Sequence, residues 1–236
     1  MAFDCAIRTH VGLRRKLNED AVLAAPERGI WAVADGMGGH EAGEVASAMI
    51  VESLANLVLE NGEPRVKRVI VALETVNDAL VALGHSSARE RTIGSTVVGL
   101  IVDREQYLCF WVGDSRGYRM RDGAIIQLTR DHSLVQDLVD AGMIEPQEAE
   151  NHPNANVVTR AVGAADRLEV DTTGGELQGG DIFLLASDGL TRLVRGDELL
   201  SRLMFSDLER AAESLLDLAL ARGAPDNVSL VIVKAG

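Results

Sequence analysis

The chain has 236 residues, 47% hydrophobic and 25% charged, with a formal net charge of −13. This is the balance of a folded protein with a sizeable core rather than a disordered or fibrous one, and so acidic a surface repels nucleic acid and anionic membranes, setting both aside as main partners. The longest run without Asp, Glu, Lys or Arg is Thr92–Val102, 11 residues, about half of what a membrane-spanning helix needs. Residues 1–6 show neither the basic start nor the apolar stretch of a secretory signal, and Cys5 and Cys109 form no disulfide framework, so a cytoplasmic protein with reduced core thiols is expected.

In chain order, strand-like runs at Ala21–Ala25 and Ile30–Ala34 lead into a helix over about Ala42–Leu59. A second helix follows Pro64, with Val66, Val69, Ile70, Leu73, Val76 and Leu80 recurring at steps of three and four. Strands follow at Ser95–Val102, Tyr107–Val112, Gly117–Arg121 and Ala124–Leu128, the last two joined by Arg121-Asp122-Gly123, a hairpin signal. Asp131–Arg160, polar and with two prolines and two short helical patterns, reads as a long surface excursion; ordered loops of that length are often functional. Strands at Asp181–Ala186 and Val228–Val233 enclose a helix over about Leu208–Ala221. Strands in succession without a helix between each pair favour antiparallel sheets with helices packed outside. With no repeat or linker, the chain reads as a single domain, 1–236.

Five of these apolar runs carry acids at an end. Asn18-Glu19-Asp20 precedes Ala21; Trp31-Ala-Val-Ala34 meets Asp35-Gly36; Cys109-Phe-Trp-Val112 meets Gly113-Asp114-Ser115; Phe183-Leu-Leu-Ala186 meets Ser187-Asp188-Gly189; and Asp226-Asn227 precedes Val228. Any one Asp-Gly at a strand end is an ordinary turn. Five that converge would crowd like charges, which need a compensating cation. An all-oxygen set suits Mg²⁺ or Mn²⁺; Zn²⁺ would want Cys or His at suitable spacing, and Ca²⁺ is possible in principle, although no EF-hand loop occurs. The glycines of Asp35-Gly-Met-Gly-Gly let backbone approach a cation and offer it a carbonyl. That stretch is neither a phosphate loop nor a dinucleotide fingerprint. Arg15, four residues before Glu19, is either a fork donor for a phosphate dianion or a solvated member of the run Arg14-Arg15-Lys16.

Taken together, Arg15-x-x-Asn18-Glu19-Asp20, Asp35-Gly-Met-Gly-Gly, Gly94-Ser-Thr96, Gly113-Asp-Ser-Arg116, Ala186-Ser-Asp-Gly189 and Asp226-Asn227 resemble, in order, the motifs of the PPM family of metal-dependent serine/threonine protein phosphatases of type 2C. The resemblance implies an α+β, four-layer αββα fold: a central sandwich of two antiparallel sheets, flanked by helix pairs, with a metal cleft at one end. It implies that Asp35 bridges two ions, that Asp188 and Asp226 complete one, and that Glu19 and the Gly36 carbonyl face the other. It further implies that Asp20 holds metal-bound waters, that Asp114 with Asp188 holds a third, weaker ion, that Arg15 binds the substrate phosphate, and that 131–160 is a flap.

Two such ions imply attack on phosphorus by a metal-bridging hydroxide, without a phosphoenzyme, with the ions and Arg15 stabilising the phosphoryl charge. The implied substrate is phosphoserine or phosphothreonine on a protein, reversing a bacterial Ser/Thr kinase, and a monomer is expected. Met37 stands where some members carry a histidine that protonates the leaving alcohol, which leaves a metal-bound water, His40 or His132 for that role. A metal nuclease or small-molecule phosphatase, and an inactive phosphoprotein-binding member, are the competing readings. The charge argues against a nuclease, and retention of every acid argues against decay.

Overall fold

In a computed structural model, which describes residues 2–38, 42–57, 65–86, 92–149 and 152–236, eleven strands build two antiparallel sheets. One has the order β1 (Phe3–His10), β11 (Val228–Ala235), β10 (Ile182–Ala186), β7 (Arg116–Arg121), β8 (Ala124–Gln127). The other runs β2 (Asp20–Ala25), β3 (Ile30–Met37), β5 (Val97–Asp103), β6 (Gln106–Val112), β9 (Asp171–Glu176), with the short β4 (Gly94–Ser95) paired to the end of β3. The sheets face each other across Trp31, Val33, Val98, Leu100, Cys109, Phe183, Leu185, Val231 and Val233. Burial in this layer pushes the Cys109 thiol up to about 12, so it stays an inert apolar filler.

The opposite faces are covered by helices. Ile30, Ala32 and Ala34 of β3 turn away from the sandwich, toward α1 (Ala42–Ala55) and α2 (Arg65–Ser86), meeting Ala46, Ile50, Leu73 and Leu80. Leu184, Ala186, Leu230 and Ile232 meet α5 (Asp188–Thr191), α6 (Gly196–Leu203) and α7 (Leu208–Ala221) through Leu190, Leu199, Leu203, Ala212 and Leu215. Central strands buried on both faces are continuously apolar for this reason rather than alternating. The four-layer αββα arrangement is therefore the one the motifs implied. Two further short helices, α3 (Leu134–Asp140) and α4 (Pro146–Ala149), belong to the excursion.

The β7–β8 hairpin closes as expected. Asp122 and Gly123 have φ of 51° and 74°, the paired positive values of the turn that matches strand twist. The ends of the first two helices at Val58, Leu59 and Pro64 lie outside the described residues.

Several elements differ from the sequence expectation: the Ser95–Val102 run divides into β4 and β5, and β1, β9, α5 and α6 were not foreseen. β1 was not foreseen, because Asp4 and Arg8 interrupt its apolar pattern; pairing with β11, from Phe3↔Ala235 to His10↔Val228, makes it a strand. β9, Asp-Thr-Thr-Gly-Gly-Glu, has no apolar residue and is held by β6 at the sheet edge. α6 is short, and of its three leucines only Leu199 and Leu203 are buried.

Candidate metal and phosphate site

All five acid-bearing strand ends open at one end of the sandwich. Antiparallel pairing places Asp20 directly opposite Asp35. The β3 end is fixed by the Thr96 N–H and the Ser95 hydroxyl, both donating to the Asp35 carbonyl at 2.8 and 2.9 Å. The Gly36 N–H donates to the Glu19 carbonyl at 3.0 Å. A side chain at position 36 is not possible, since a Cβ there would lie 2.0 Å from the Gly43 carbonyl oxygen. Across the cleft, a Cβ on Gly189 would lie 1.8 Å from the Asn227 carbonyl oxygen, so glycine is what lets α5 start against β11. Asn227 then ties in the N-terminal loop. Its Nδ2 donates to the Val11 and Leu17 carbonyls at 2.9 and 3.0 Å, and its Oδ1 accepts from the Glu19 N–H at 2.8 Å.

The result is a cleft of about 570 Å³ lined by Arg15, Glu19, Asp35, Gly36, Met37, Asp114, Asp188 and Asp226. Asp20 sits behind this lining, its Oδ2 accepting from the Ser187 hydroxyl at 3.0 Å. Seven of the eight residues singled out from the sequence thus line one cleft, and the eighth supports it.

The carboxyl groups perturb one another as the crowding argument requires. Burial, then the charges of Asp20, Asp188, Asp114 and Asp226, hold the Asp35 carboxyl well above the usual range. Burial pushes Asp20 up to about 6 against its serine hydrogen bonds, and Asp114 up to about 7 with Asp188 adding to the rise. Asp188 is raised by burial, with Arg192 opposing. The chain's own cations neutralise part of the cluster. Arg15 Nη2 donates to Asp226 Oδ2 at 2.7 Å, and Arg192 lies 2.9 Å from Asp188 and 3.0 Å from Asp114. Among the described residues, no three His, Cys, Asp or Glu side chains form a closed ligand set; Asp226, Asp188 and Asp114 each face an arginine instead.

What remains uncompensated fits divalent cations. Glu19 Oε1 and Asp20 Oδ1 are buried without a hydrogen-bond partner, a costly state for carboxylate oxygens. The donor set is all oxygen, and a glycine brings backbone into the same place.

The sequence offered two histidines as proton donors. His132 does not fill that role in this geometry. Its Nε2 shares a hydrogen with Asp171 Oδ2 at 3.1 Å, its Nδ1 accepts from the Gly113 N–H at 3.0 Å, and the ring stacks on Trp111. Burial, against the pull of Asp171, lowers its pKa, and it anchors the start of the excursion. His40 lies outside the described residues. Arg192 is the residue that sequence reasoning missed. The signal available was its position four residues after Asp188, one helical turn along.

Sandwich, helix layers and an acid-lined cleft in this motif order define the PPM class of protein phosphatases. The chain belongs to the protein phosphatase 2C family, whose pattern it matches over residues 8–228. It is 37% identical over 230 residues to the serine/threonine protein phosphatase PstP of Mycobacterium tuberculosis, which covers 96% of this chain but only 44% of PstP, so the chain spans less than half of that relative. The Listeria monocytogenes serine/threonine phosphatase Stp is 36% identical, with 96% of this chain and 94% of Stp covered. Among solved structures, PppA, described as a key regulatory component of T6SS in Pseudomonas aeruginosa, superposes with a TM-score of 0.91 at 41% identity, covering 100% of this chain and 99% of PppA. A PstP catalytic domain solved with two manganese ions gives 0.89 at 36% identity, covering 99% and 98%.

Proposed function

We propose that this chain hydrolyses phosphoserine and phosphothreonine on proteins, using two Mn²⁺ or Mg²⁺ ions. In this reading Asp35 would serve both ions, Asp188 and Asp226 would hold one, and Glu19 with the Gly36 carbonyl would hold the other. Asp20 would steady the waters of the cluster. The ions supply the positive charge that activates water and stabilises the phosphoryl transition state. The observation that carries the reading is the excess of buried carboxylate at one sandwich end, with Glu19 Oε1 and Asp20 Oδ1 left unpaired. The two manganese ions of the PstP catalytic domain support it.

The chain's own residues do the rest. Arg15, half exposed and paired with Asp226, would offer its fork to two oxygens of the substrate phosphate. Met37 adds an apolar, non-titrating side chain to the cleft lining. The chain acts as a single-domain cytoplasmic monomer that reverses a Ser/Thr kinase. Among the described residues no helix is long and apolar enough to cross a membrane. The likeness to PppA makes kinase targets of a secretion apparatus the first proteins to try.

The decisive assay compares serine and threonine phosphopeptides, sugar phosphates and DNA in Mn²⁺, in Mg²⁺ and with chelator. Metal-dependent release from the phosphopeptides alone is expected. Equal turnover in thoroughly demetallated protein, or a preference for DNA or sugar phosphates, overturns the proposal.

A further inference from the structure

The resemblance assigned a third ion to Asp114 and Asp188, and that place is where the chain sets a cation of its own. Asp188 opens α5, and Arg192 follows one helical turn later on the same side. Its Nε lies 2.9 Å from Asp188 Oδ2, and its Nη2 donates to Asp114 Oδ2 at 3.0 Å and to the Ala155 carbonyl at 3.2 Å. One side chain therefore joins α5, the turn after β6 and the 131–160 excursion. Arg192 also lines both the acid cleft and a neighbouring cavity of about 230 Å³ beneath the excursion, forming part of the partition between them.

A divalent ion bridging Asp114 and Asp188 needs their oxygens at about 2.0–2.6 Å. One oxygen of each carboxylate, Oδ2, already contacts a guanidinium nitrogen, and a guanidinium does not lose its charge. An ion entering there meets a like charge at contact range. It also competes with a cation tethered one turn away, held at a high effective concentration.

We propose that Arg192 is the resident cation of the Asp114–Asp188 pair and takes the place of a third metal ion, so that this chain works with two. Arg192 is a positioning residue: it holds Asp188 in the cleft and ties the excursion at Ala155 to the same contact. The inference rests on the two-ion reading, yet it is tested separately.

The test counts Mn²⁺ bound per full-length chain at millimolar Mn²⁺, from the EPR signal of the free ion. It covers the wild type, Arg192→Gln and Arg192→Lys, each with and without Asp114→Asn. The wild type should show no ion that depends on Asp114. Arg192→Gln should gain one weak ion per chain and lose it again with Asp114→Asn, whereas Arg192→Lys, which keeps the charge, should gain none. An Asp114-dependent ion in the wild type, no gain in Arg192→Gln, or an equal gain in Arg192→Lys overturns the proposal. The wild-type count decides even if a variant does not fold. Ions that depend on Asp35, counted with Asp35→Ala, test the two-ion reading and leave this comparison intact.

Discussion

Asp35 concentrates the problem that the site has to solve. It is a carboxyl group whose neighbours on β2, after β6, on α5 and before β11 are carboxyl groups too. Asp35→Asn should abolish phosphopeptide turnover and leave the circular dichroism spectrum unchanged, because the side chain packs in no hydrophobic cluster. Melts of the chelator-treated variant should run a few degrees above the wild type, as one buried like charge is gone. A variant that keeps near-normal rates at saturating metal would remove Asp35 from the ligand set.

The pH dependence of the metal-free protein has a definite sign. Asp20 near 6 and Asp114 near 7 both lie above the ordinary Asp value, so between roughly pH 4 and 7 the folded chain holds protons that the unfolded chain has released. The stability they contribute is complete below about pH 4 and is lost as pH rises through 6 to 7. A tenfold change in proton affinity is worth about 1.4 kcal/mol, so each carboxyl contributes on the order of 3–4 kcal/mol at most. Denaturation of chelated protein should give a stability that falls from about pH 4 to 7, and Asp114→Asn should flatten the fall; a rising curve would contradict the burial of these groups. For Arg15→Ala the expectation is a loss of one charge-assisted contact, about 1.5–3 kcal/mol, or about 10–100-fold in kcat/KM on phosphopeptides. Metal affinity should not weaken, because Arg15 competes for Asp226 rather than binding the ion.

At the scale of elements, the cleft depends on how closely strand ends approach one another. Gly189→Ala drives a Cβ into the Asn227 carbonyl and must push α5, with Asp188, away from β11. Turnover and Mn²⁺ affinity should both fall more than 10-fold while the sheets stay formed, and calorimetric titration with Mn²⁺ reads the affinity directly. The excursion is fixed by charged contacts: Arg116 grips Asp131 at 2.7–3.1 Å, and Arg160 meets Asp171 at 3.2 Å. Asp131→Ala leaves the largely enclosed Arg116 charge unpaired, a cost of about 2–3 kcal/mol. Amide exchange should quicken through 131–149 and 152–160 while β10 and β11 stay protected.

For the whole molecule, cations that bind only the folded state should stabilise it by mass action. At about 100 times the dissociation constant the gain is about 2.7 kcal/mol, or roughly 5–10 °C in Tm for a chain of this length. Scanning calorimetry with Mn²⁺, then excess chelator, should show the rise and its reversal. Most of the architecture was legible in the sequence, because runs such as Trp31–Ala34 and Phe183–Ala186 are too apolar to lie anywhere but between two covered layers. β1 and β9 were not, since their own side chains do not announce a strand and the neighbouring backbones, β11 and β6, confer it.

The order of acidic motifs is a property of the sequence alone, and so is the class of chemistry. Carboxylates and glycines at the ends of apolar strands admit few partners other than hard cations and phosphate. The distances between those motifs belong to the tertiary structure. Glu19 and Asn227 are 208 residues apart in the chain, yet a hydrogen bond of 2.8 Å joins them. Whether an acid faces a metal or an arginine is also settled only there. Arg192 looks like any surface arginine until α5 and the turn after β6 bring Asp188 and Asp114 to either side of it. Electrostatic pairing acts over a few ångströms, and only the folded chain sets separations on that scale.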